Sequence, residues 1–291
     1  MINRGIILAG GLGTRLHPMT LTTNKQLLPV YNKPMIYYPL STLMLAGIRE
    51  YLLISTPQCL RGFMQLLSDG QRLGISISYR SQIVPRGIAD ALLIADEWAC
   101  AEPTALILGD NLFYGKLDPV RDAIKNFDRG ATIFGYPVHD PERYGVVEFD
   151  EDGGVETIVE KPTHPKSRYA VPGLYLYDAS AADRVGGLKP SERGELEITD
   201  LNLAYLRDGL LSCAKLGRGL AWLDTGTPSA LLDAARFIEA VETRQGLMVG
   251  CPEEITIAQG WVDTVRLLDR MLDPLPSGPY RDYVEQVWEE R

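Results

Sequence analysis

Between residues 10 and 25 the chain sets out the parts of an anion seat. Gly10, Gly11 and Gly13 put three glycines into four residues. Bare backbone of this kind turns tightly and lets another group come close to its N–H donors. Thr14 and Arg15 follow at once, and Lys25 lies ten residues beyond Arg15. A guanidinium can clamp phosphate oxygens through two parallel hydrogen bonds, whereas an ammonium is a compact point charge. Backbone donors next to two such cations suit a polyphosphate. Two acids share a second pattern. Asp110 follows the apolar run Ala105–Leu108, and Asp224 follows Ala221–Leu223. An acid just past a buried strand can hold Mg²⁺, which takes one or two carboxylates and completes its shell from substrate phosphates. An acid in that place can also close an ordinary turn.

The spacing excludes two familiar glycine loops. A P-loop needs a lysine directly after its last glycine, and Thr14 stands there instead. A dinucleotide fingerprint needs a third glycine and then an acid about 20 residues on. Here Arg15 or Leu16 takes the glycine position, and residues 28 to 36 carry no carboxylate. His17, His139 and His164 are scattered, and Cys59, Cys100, Cys213 and Cys251 form no metal-like spacing, so zinc is not expected. No G-x-S-x-G elbow is present, which disfavours a serine hydrolase. A formal net charge of −9 argues against a general nucleic-acid binder. No run approaches 18 apolar residues, and Arg4 and Gly10 interrupt the start, so neither a membrane span nor a signal peptide is expected. The unpaired cysteines suit a reducing, cytoplasmic setting.

The elements that must position these groups alternate up to residue 138. Strands are expected at Ile6–Ala9, Tyr51–Ser55, Ile75–Tyr79, Ala105–Leu108 and Ala131–Val138. Helices are expected at Ile36–Ala46, Leu60–Leu67, Ile88–Cys100 and Val120–Phe127. Such alternation predicts an α/β sandwich with parallel strands and crossover helices, its ligands lying beyond the carboxyl ends of the strands. After residue 140 the rhythm changes. Tyr144–Phe149, Val155–Glu160 and Tyr169–Tyr177 read as strands that extend the sheet, with a hairpin turn at Asp152-Gly153-Gly154. Helices at Ala179–Val185 and Ile198–Arg207 precede strands at Leu211–Leu216 and Ala221–Leu223. Ser229 reads as the cap of a helix over Ala230–Thr243. Beyond Gly250 a short helical tail carries Trp261, Leu267, Leu268, Met271, Leu272 and Trp288.

The string Gly11-Leu12-Gly13-Thr14-Arg15-Leu16-His17-Pro18-Met19-Thr20, followed by Lys25-Gln26-Leu27-Leu28-Pro29-Val30, resembles the signature of sugar-nucleotide pyrophosphorylases. More narrowly, the chain resembles the glucose-1-phosphate thymidylyltransferases. The likeness runs through Lys33-Pro34-Met35-Ile36-Tyr37-Tyr38-Pro39-Leu40 and recurs to about residue 260, including Arg193-Gly194-Glu195-Leu196-Glu197-Ile198-Thr199-Asp200 and Gly250-Cys251-Pro252-Glu253-Glu254-Ile255.

The resemblance implies a Rossmann-like, mainly parallel mixed sheet flanked by helices, with a helical extension at 251–291 that serves oligomerisation or regulation. The nucleotidyltransferase domain would cover 1–250, with a nucleotide half at 1–138 and a sugar half at 139–228. Its reaction would join dTTP to glucose 1-phosphate with Mg²⁺, giving dTDP-glucose and pyrophosphate on the way to dTDP-L-rhamnose or another deoxysugar. Arg15, Lys25 and Asp110 would be catalytic, and Asp110 with Asp224 would hold the metal. Leu8, Gly10, Gly11, Gly13, Thr14, Gln26, Gln82, Pro85 and Gly87 would complete the nucleotide site. A side-chain amide such as that of Gln82 offers both a donor and an acceptor to a base edge. The sugar phosphate would meet Asn111, Tyr144, Gly145, Glu160, Lys161, Val171 and Arg193, with Gly145 and Gly173 leaving room for the ring. As neighbours on a strand, Glu160 and Lys161 would point to opposite faces. A homotetramer inhibited by a dTDP-sugar end product is also implied. Two residues depart from the family pattern: Pro172 stands where threonine is expected, and Asp90 where glutamine is expected. Specificity for UTP or for another hexose 1-phosphate is the alternative reading.

Overall fold

The computed structural model describes every residue of the chain except Leu12, which lies in the glycine loop. Strand β1 (Arg4–Ala9) is buried along nearly its whole length, as a parallel strand covered on both faces should be. The hairpin of β2 (Pro29–Val30) and β3 (Lys33–Pro34) leads into helix α1 (Tyr37–Leu45), β4 (Glu50–Ser55), α2 (Pro57–Leu67), β5 (Ser76–Ser81), α3 (Asp90–Ala99) and β6 (Thr104–Leu108). Strands β4, β1 and β6 are paired in parallel, with Ile7 opposite Leu53 on one side and Ile107 on the other. The carboxyl ends of β1, β4, β5 and β6 therefore open on one rim.

The second half brings β7 (Asn111–Gly115), α4 (Asp118–Lys125), β8 (Ala131–Pro137), β9 (Gly145–Phe149), β10 (Val155–Glu160), β11 (Tyr169–Ala170) and β12 (Leu174–Tyr177). Then come α5 (Ala181–Gly186), α6 (Ile198–Arg207), β13 (Leu211–Lys215), β14 (Leu220–Asp224) and α7 (Pro228–Gln245). The main sheet runs β10-β9-β11-β8-β12-β6-β1-β4-β5, with β13 added beside β8. It is mixed, and the strands between residues 144 and 177 extend it as expected.

Three local expectations change. The run Tyr169–Tyr177 is two strands, because Val171-Pro172-Gly173 interrupts it and Pro172 has no N–H to give to a ladder. Residues 111 to 115, left out of the expected elements, form a strand, and β14 pairs with it as a separate two-stranded ribbon. The cap of α7 is Thr227, whose hydroxyl accepts from the Ala230 N–H, and Ser229 lies inside the helix. Helices α8 (Pro252–Ala258), α9 (Val265–Leu272) and α10 (Pro279–Glu289) complete the chain. Their Ile255, Met271 and Val284 belong to the same buried cluster as Ile7, Leu53 and Ala105. Among the described residues no helix is long and apolar enough to cross a membrane.

Candidate active site

The floor of the site is the end of β1. Its Leu8 carbonyl accepts from the Gly109 N–H at 2.9 Å. Its Ala9 carbonyl accepts from Asn24 Nδ2 at 2.9 Å and Ser55 Oγ at 2.7 Å. Asn24 also receives the Gln26 N–H on its Oδ1, capping the short 3₁₀ turn Lys25–Leu27. That turn buries Lys25 and aims its Nζ at Asp110 Oδ2, 2.5 Å away. Gln26 is buried beside it, and its Oε1 has no hydrogen-bond partner among the described residues. Gly13 has φ +61°, and a Cβ there would stand 3.0 Å from Thr20 Cγ2 and 3.2 Å from Lys25 Cβ. Position 13 thus needs glycine for both conformation and space. Thr14 and Arg15 follow on the exposed side of the loop.

The ribbon supplies the second acid. Asp224 lies opposite Asn111 in the β14–β7 register, which brings it alongside Asp110. Burial, and after it the neighbouring charge of Asp110, raises the Asp224 carboxyl above the ordinary aspartate value. Lys25, Arg15 and Arg143 oppose that shift. Arg143 Nη2 lies 3.8 Å from Asp224 Oδ2, while its Nη1 donates to Asp140 at 2.6 Å. Arg15 and Asp224 meet over Gly226: a Cβ there would stand 3.1 Å from Arg15 Nη2 and 3.0 Å from Asp224 Oδ2. Among the described residues no three His, Cys, Asp or Glu side chains gather to cage a metal. Two adjacent carboxylates could instead hold a divalent cation that takes one or two carboxylates from the protein and completes its shell elsewhere.

Asn111 ties this centre to the next strand. Its Oδ1 accepts from the Gly173 N–H at 2.9 Å and Trp222 Nε1 at 2.7 Å, and its Nδ2 donates to Asp110 Oδ1 at 3.1 Å. The Trp222 ring packs against Tyr144 with centroids 5.0 Å apart. Thr225 Oγ1 donates to the Asp110 carbonyl at 2.9 Å.

Gln82 follows β5 directly and is buried. Its Nε2 donates to Asp90 Oδ2 at 2.9 Å and to the Gly87 carbonyl at 3.3 Å. Pro85 lies exposed on the same loop. Gly87 has φ +100°, and a Cβ there would meet the Leu196 carbonyl oxygen at 2.4 Å. Leu196 is stitched to this loop on both sides: its N–H donates to the Arg86 carbonyl at 2.6 Å, and its carbonyl accepts from Ala89 at 3.3 Å.

On the other side, a Cβ on Gly145 would stand 3.2 Å from Glu160 Oε2, which itself accepts from Thr199 Oγ1 at 3.0 Å. The Gly145 carbonyl accepts from the Val171 N–H at 2.8 Å. Glu160 and Lys161 do face each other, contrary to the strand rule. Lys161 has φ +44°, which leaves the extended conformation and lets its Nζ return to 3.3 Å from Glu160 Oε1. Such strain in a non-glycine residue collects where function over-determines the backbone. Gly173 does not leave space for a ring. A Cβ there would press on Leu108 Cγ at 2.6 Å and Asn111 Nδ2 at 2.9 Å, so its role is close strand packing. Arg193 is exposed and held by Glu197 at 2.9 Å and Glu195 at 3.7 Å.

The structure thus gathers Lys25, Asp110, Asp224, Arg15 and Asn111 at one point, with Gln82 and Gly87 on one flank and Gly145, Glu160 and Lys161 on the other. Arg143, Thr225, Trp222 and the Asp90 contact were not singled out from sequence as parts of this centre. Asn24, a capping residue type directly before Lys25, left a local signal, and Asp90 left one as a departure from the family pattern.

The nucleotidyl transferase family model matches residues 4–241. A glucose-1-phosphate thymidylyltransferase of Xanthomonas campestris pv. campestris is 55% identical over 284 residues, covering 97% of this chain and 95% of its own length. One from Mycobacterium tuberculosis is 51% identical over 288 residues, covering 98% of this chain and 99% of its own. A Bacillus anthracis protein solved in complex with sucrose superimposes with a TM-score of 0.75 at 40% identity, covering 80% of this chain and 94% of that one. The chain belongs to the nucleotidyl transferase family, within its glucose-1-phosphate thymidylyltransferase branch.

Proposed function

We propose that the chain transfers a thymidylyl group from dTTP to α-D-glucose 1-phosphate, releasing pyrophosphate. The observation that carries this reading is the juxtaposition of Lys25, Asp110 and Asp224 at the carboxyl end of β1 and β6, beside the glycine loop. An oxygen of the sugar phosphate attacks the α-phosphorus of dTTP, and the bond from that phosphorus to the oxygen bridging the α- and β-phosphates breaks. The attacking oxygen is already ionised at neutral pH, since a phosphate monoester has its second pKa at about 6. No general base is needed, and the chain's work is alignment and charge neutralisation.

Lys25 sets a compact charge by the transferred phosphorus. Arg15 and the N–H groups of Gly10, Gly11, Gly13 and Thr14 grip the leaving pyrophosphate, and Leu8 lines the floor. Gln26 offers its unpartnered Oε1 to the nucleotide sugar. Gln82, Pro85 and Gly87 seat the base. Glu160 accepts from sugar hydroxyls, aided by Asn111, Tyr144, Gly145 and Val171. Lys161 and Arg193 meet the sugar's phosphate, Arg193 exchanging Glu197 for it. Asp110 and Asp224 would hold Mg²⁺, which when bound neutralises charge shared by the two phosphates.

A pyrophosphate-release assay over dTTP, dUTP, UTP, ATP, GTP and CTP against several sugar 1-phosphates tests this reading. Turnover confined to another nucleotide would overturn it. The rhamnose or deoxysugar route, a cytoplasmic site and a homotetramer complete the proposal. Residues 251–291 would act as its oligomerisation or regulatory extension on the 1–250 domain. A scattering mass near one 32.2 kDa chain would refute the tetramer. A cleft of about 310 Å³ lined by Leu45, Tyr114, Gly115, Val249, Gly250 and Glu254 is the candidate seat for an inhibiting dTDP-sugar.

A further inference from the structure

The Gln82 carboxamide is held in one sense. Its Nε2 is drawn to Asp90 Oδ2 at 2.9 Å and to the Gly87 carbonyl at 3.3 Å. Its Oε1 faces the other way, 2.8 Å from where a Cβ on Gly10 would stand. Gly10 begins the glycine loop at the rim, so that oxygen points at the nucleotide crevice. The partner that sets the sense is Asp90, only 1% exposed at the first turn of α3. Its other oxygen, Oδ1, accepts from Arg86 Nη2 at 2.8 Å. A carboxylate paired with a guanidinium can only accept, so the amide facing it must present its NH₂. A glutamine at position 90 could present either end of its own amide and would leave only the longer Gly87 contact to fix the sense of Gln82.

We infer that Asp90 is a positioning residue for base selection, fixing the Gln82 amide so that the crevice offers an acceptor to a pyrimidine bearing N3–H. The inference rests on the reading that a thymidine nucleotide is the donor. Thymine and uracil carry a hydrogen at N3, whereas cytosine carries a lone pair there and would meet Oε1 as acceptor against acceptor. The device therefore separates thymine and uracil from cytosine, and it cannot separate thymine from uracil.

The test compares kcat/KM for dTTP, dUTP and dCTP in the wild type and four variants. In Asp90→Asn the new amide must turn its oxygen to Arg86, which only donates. Its NH₂ then faces Gln82 and draws Oε1 round, putting Nε2 in the crevice. The dTTP-to-dCTP ratio should fall by about 10-fold to 100-fold, the range expected for mispairing a buried polar group. Most of the loss for dTTP should appear in KM, because Asp90 touches no reacting phosphate. The dTTP-to-dUTP ratio should not move. Arg86→Met alone should keep the wild-type ratio. Arg86→Met with Asp90→Asn should recover part of it, since the substituted amide at position 90 can then turn its oxygen to Gln82 but is no longer held in either sense. Gln82→Met, which leaves the Asp90–Arg86 pair in place, should lower the ratio even if Asp90→Asn folds poorly. A wild type that selects dTTP, combined with an unchanged ratio in Asp90→Asn or Gln82→Met, overturns the lock alone. A double variant no more selective than Asp90→Asn also overturns it. A wild type that does not prefer dTTP to dCTP overturns both the lock and the donor assignment.

Discussion

Lys33 is the most deeply buried ammonium in the chain, 1% exposed, and its environment makes a quantitative forecast. Its Nζ donates to Glu242 Oε1 at 2.6 Å and to Asn32 Oδ1 at 2.5 Å. Asn32 Nδ2 closes the ring on Glu242 Oε2 at 2.7 Å, and the Val249 N–H adds a third bond to Glu242 at 2.8 Å. The network joins the β2–β3 hairpin, which follows the Lys25 turn, to the end of α7. Burial lowers the Lys33 pKa below the ordinary lysine value even with Glu242 beside it. Glu242→Ala would leave the ammonium buried without its counter-charge, which costs about 3–5 kcal/mol. At about 2 °C per kcal/mol for a chain of this size, the thermal midpoint at pH 7 should drop by roughly 6–10 °C.

The sign of the pH dependence follows from the lowered pKa. Between the folded and unfolded pKa values the unfolded chain binds more protons, so stability rises with pH in that window. Removing Glu242 pushes the folded pKa lower still and widens the window downward. The deficit of Glu242→Ala should therefore shrink as pH rises from 7 towards 10, because Lys33 can shed its proton. In Lys33→Met with Glu242→Gln, the glutamine can still accept from Val249 and donate to a turned Asn32. That double variant should melt above Glu242→Ala. The assay is calorimetry or circular dichroism at several pH values. A deficit below about 1 kcal/mol, or one that does not change with pH, would refute the claim that an unpaired buried charge dominates.

Other outcomes follow from the site. Asp110→Ala should lower pyrophosphate release by about 10²–10³-fold while leaving the circular dichroism spectrum unchanged, because the residue neutralises and aligns without contributing to the apolar core. Near-normal release at ordinary Mg²⁺ would contradict the metal assignment. Gly87→Ala puts a Cβ 2.4 Å from the Leu196 carbonyl oxygen at φ +100° and should destabilise by about 1–3 kcal/mol, read from the denaturant midpoint. Thr227→Ala removes the cap of α7 and should cost about 1 kcal/mol with kcat little changed, whereas Ser229→Ala should cost almost nothing.

The chemistry of the site was legible wherever it depended on short spacing. The glycine loop, Arg15 and Lys25 declare themselves within sixteen residues, and Asp110 is marked by the strand before it. The same holds for most elements, because β1, β4 and β6 are apolar runs of strand length and α6 begins and ends where its periodicity does. What the sequence left hidden is long-range. The pairing of β7 with β14 spans more than a hundred residues, and only that register explains why Asp224 stands beside Asp110. Arg143 enters through the same fold. Lys161 was misjudged for a different reason: the alternation rule assumes an extended backbone, and one residue at φ +44° voids it. Gly173 was read as open space, whereas its missing side chain is filled by Leu108 and Asn111.

The stitching of Leu196 to residues 86 and 89 has a consequence for the order of events. The loop that carries Gly87 and the segment that leads from Arg193 to Glu197 share two backbone hydrogen bonds, at 2.6 and 3.3 Å, so they order or loosen as one flap. If the nucleotide seats on the first and the sugar phosphate on the second as proposed, the entropy of fixing the flap is spent once for two ligands. Sugar phosphate should then bind more tightly to the nucleotide-loaded chain than to the empty one. By linkage the converse holds by the same factor, although no side chain needs to touch both substrates.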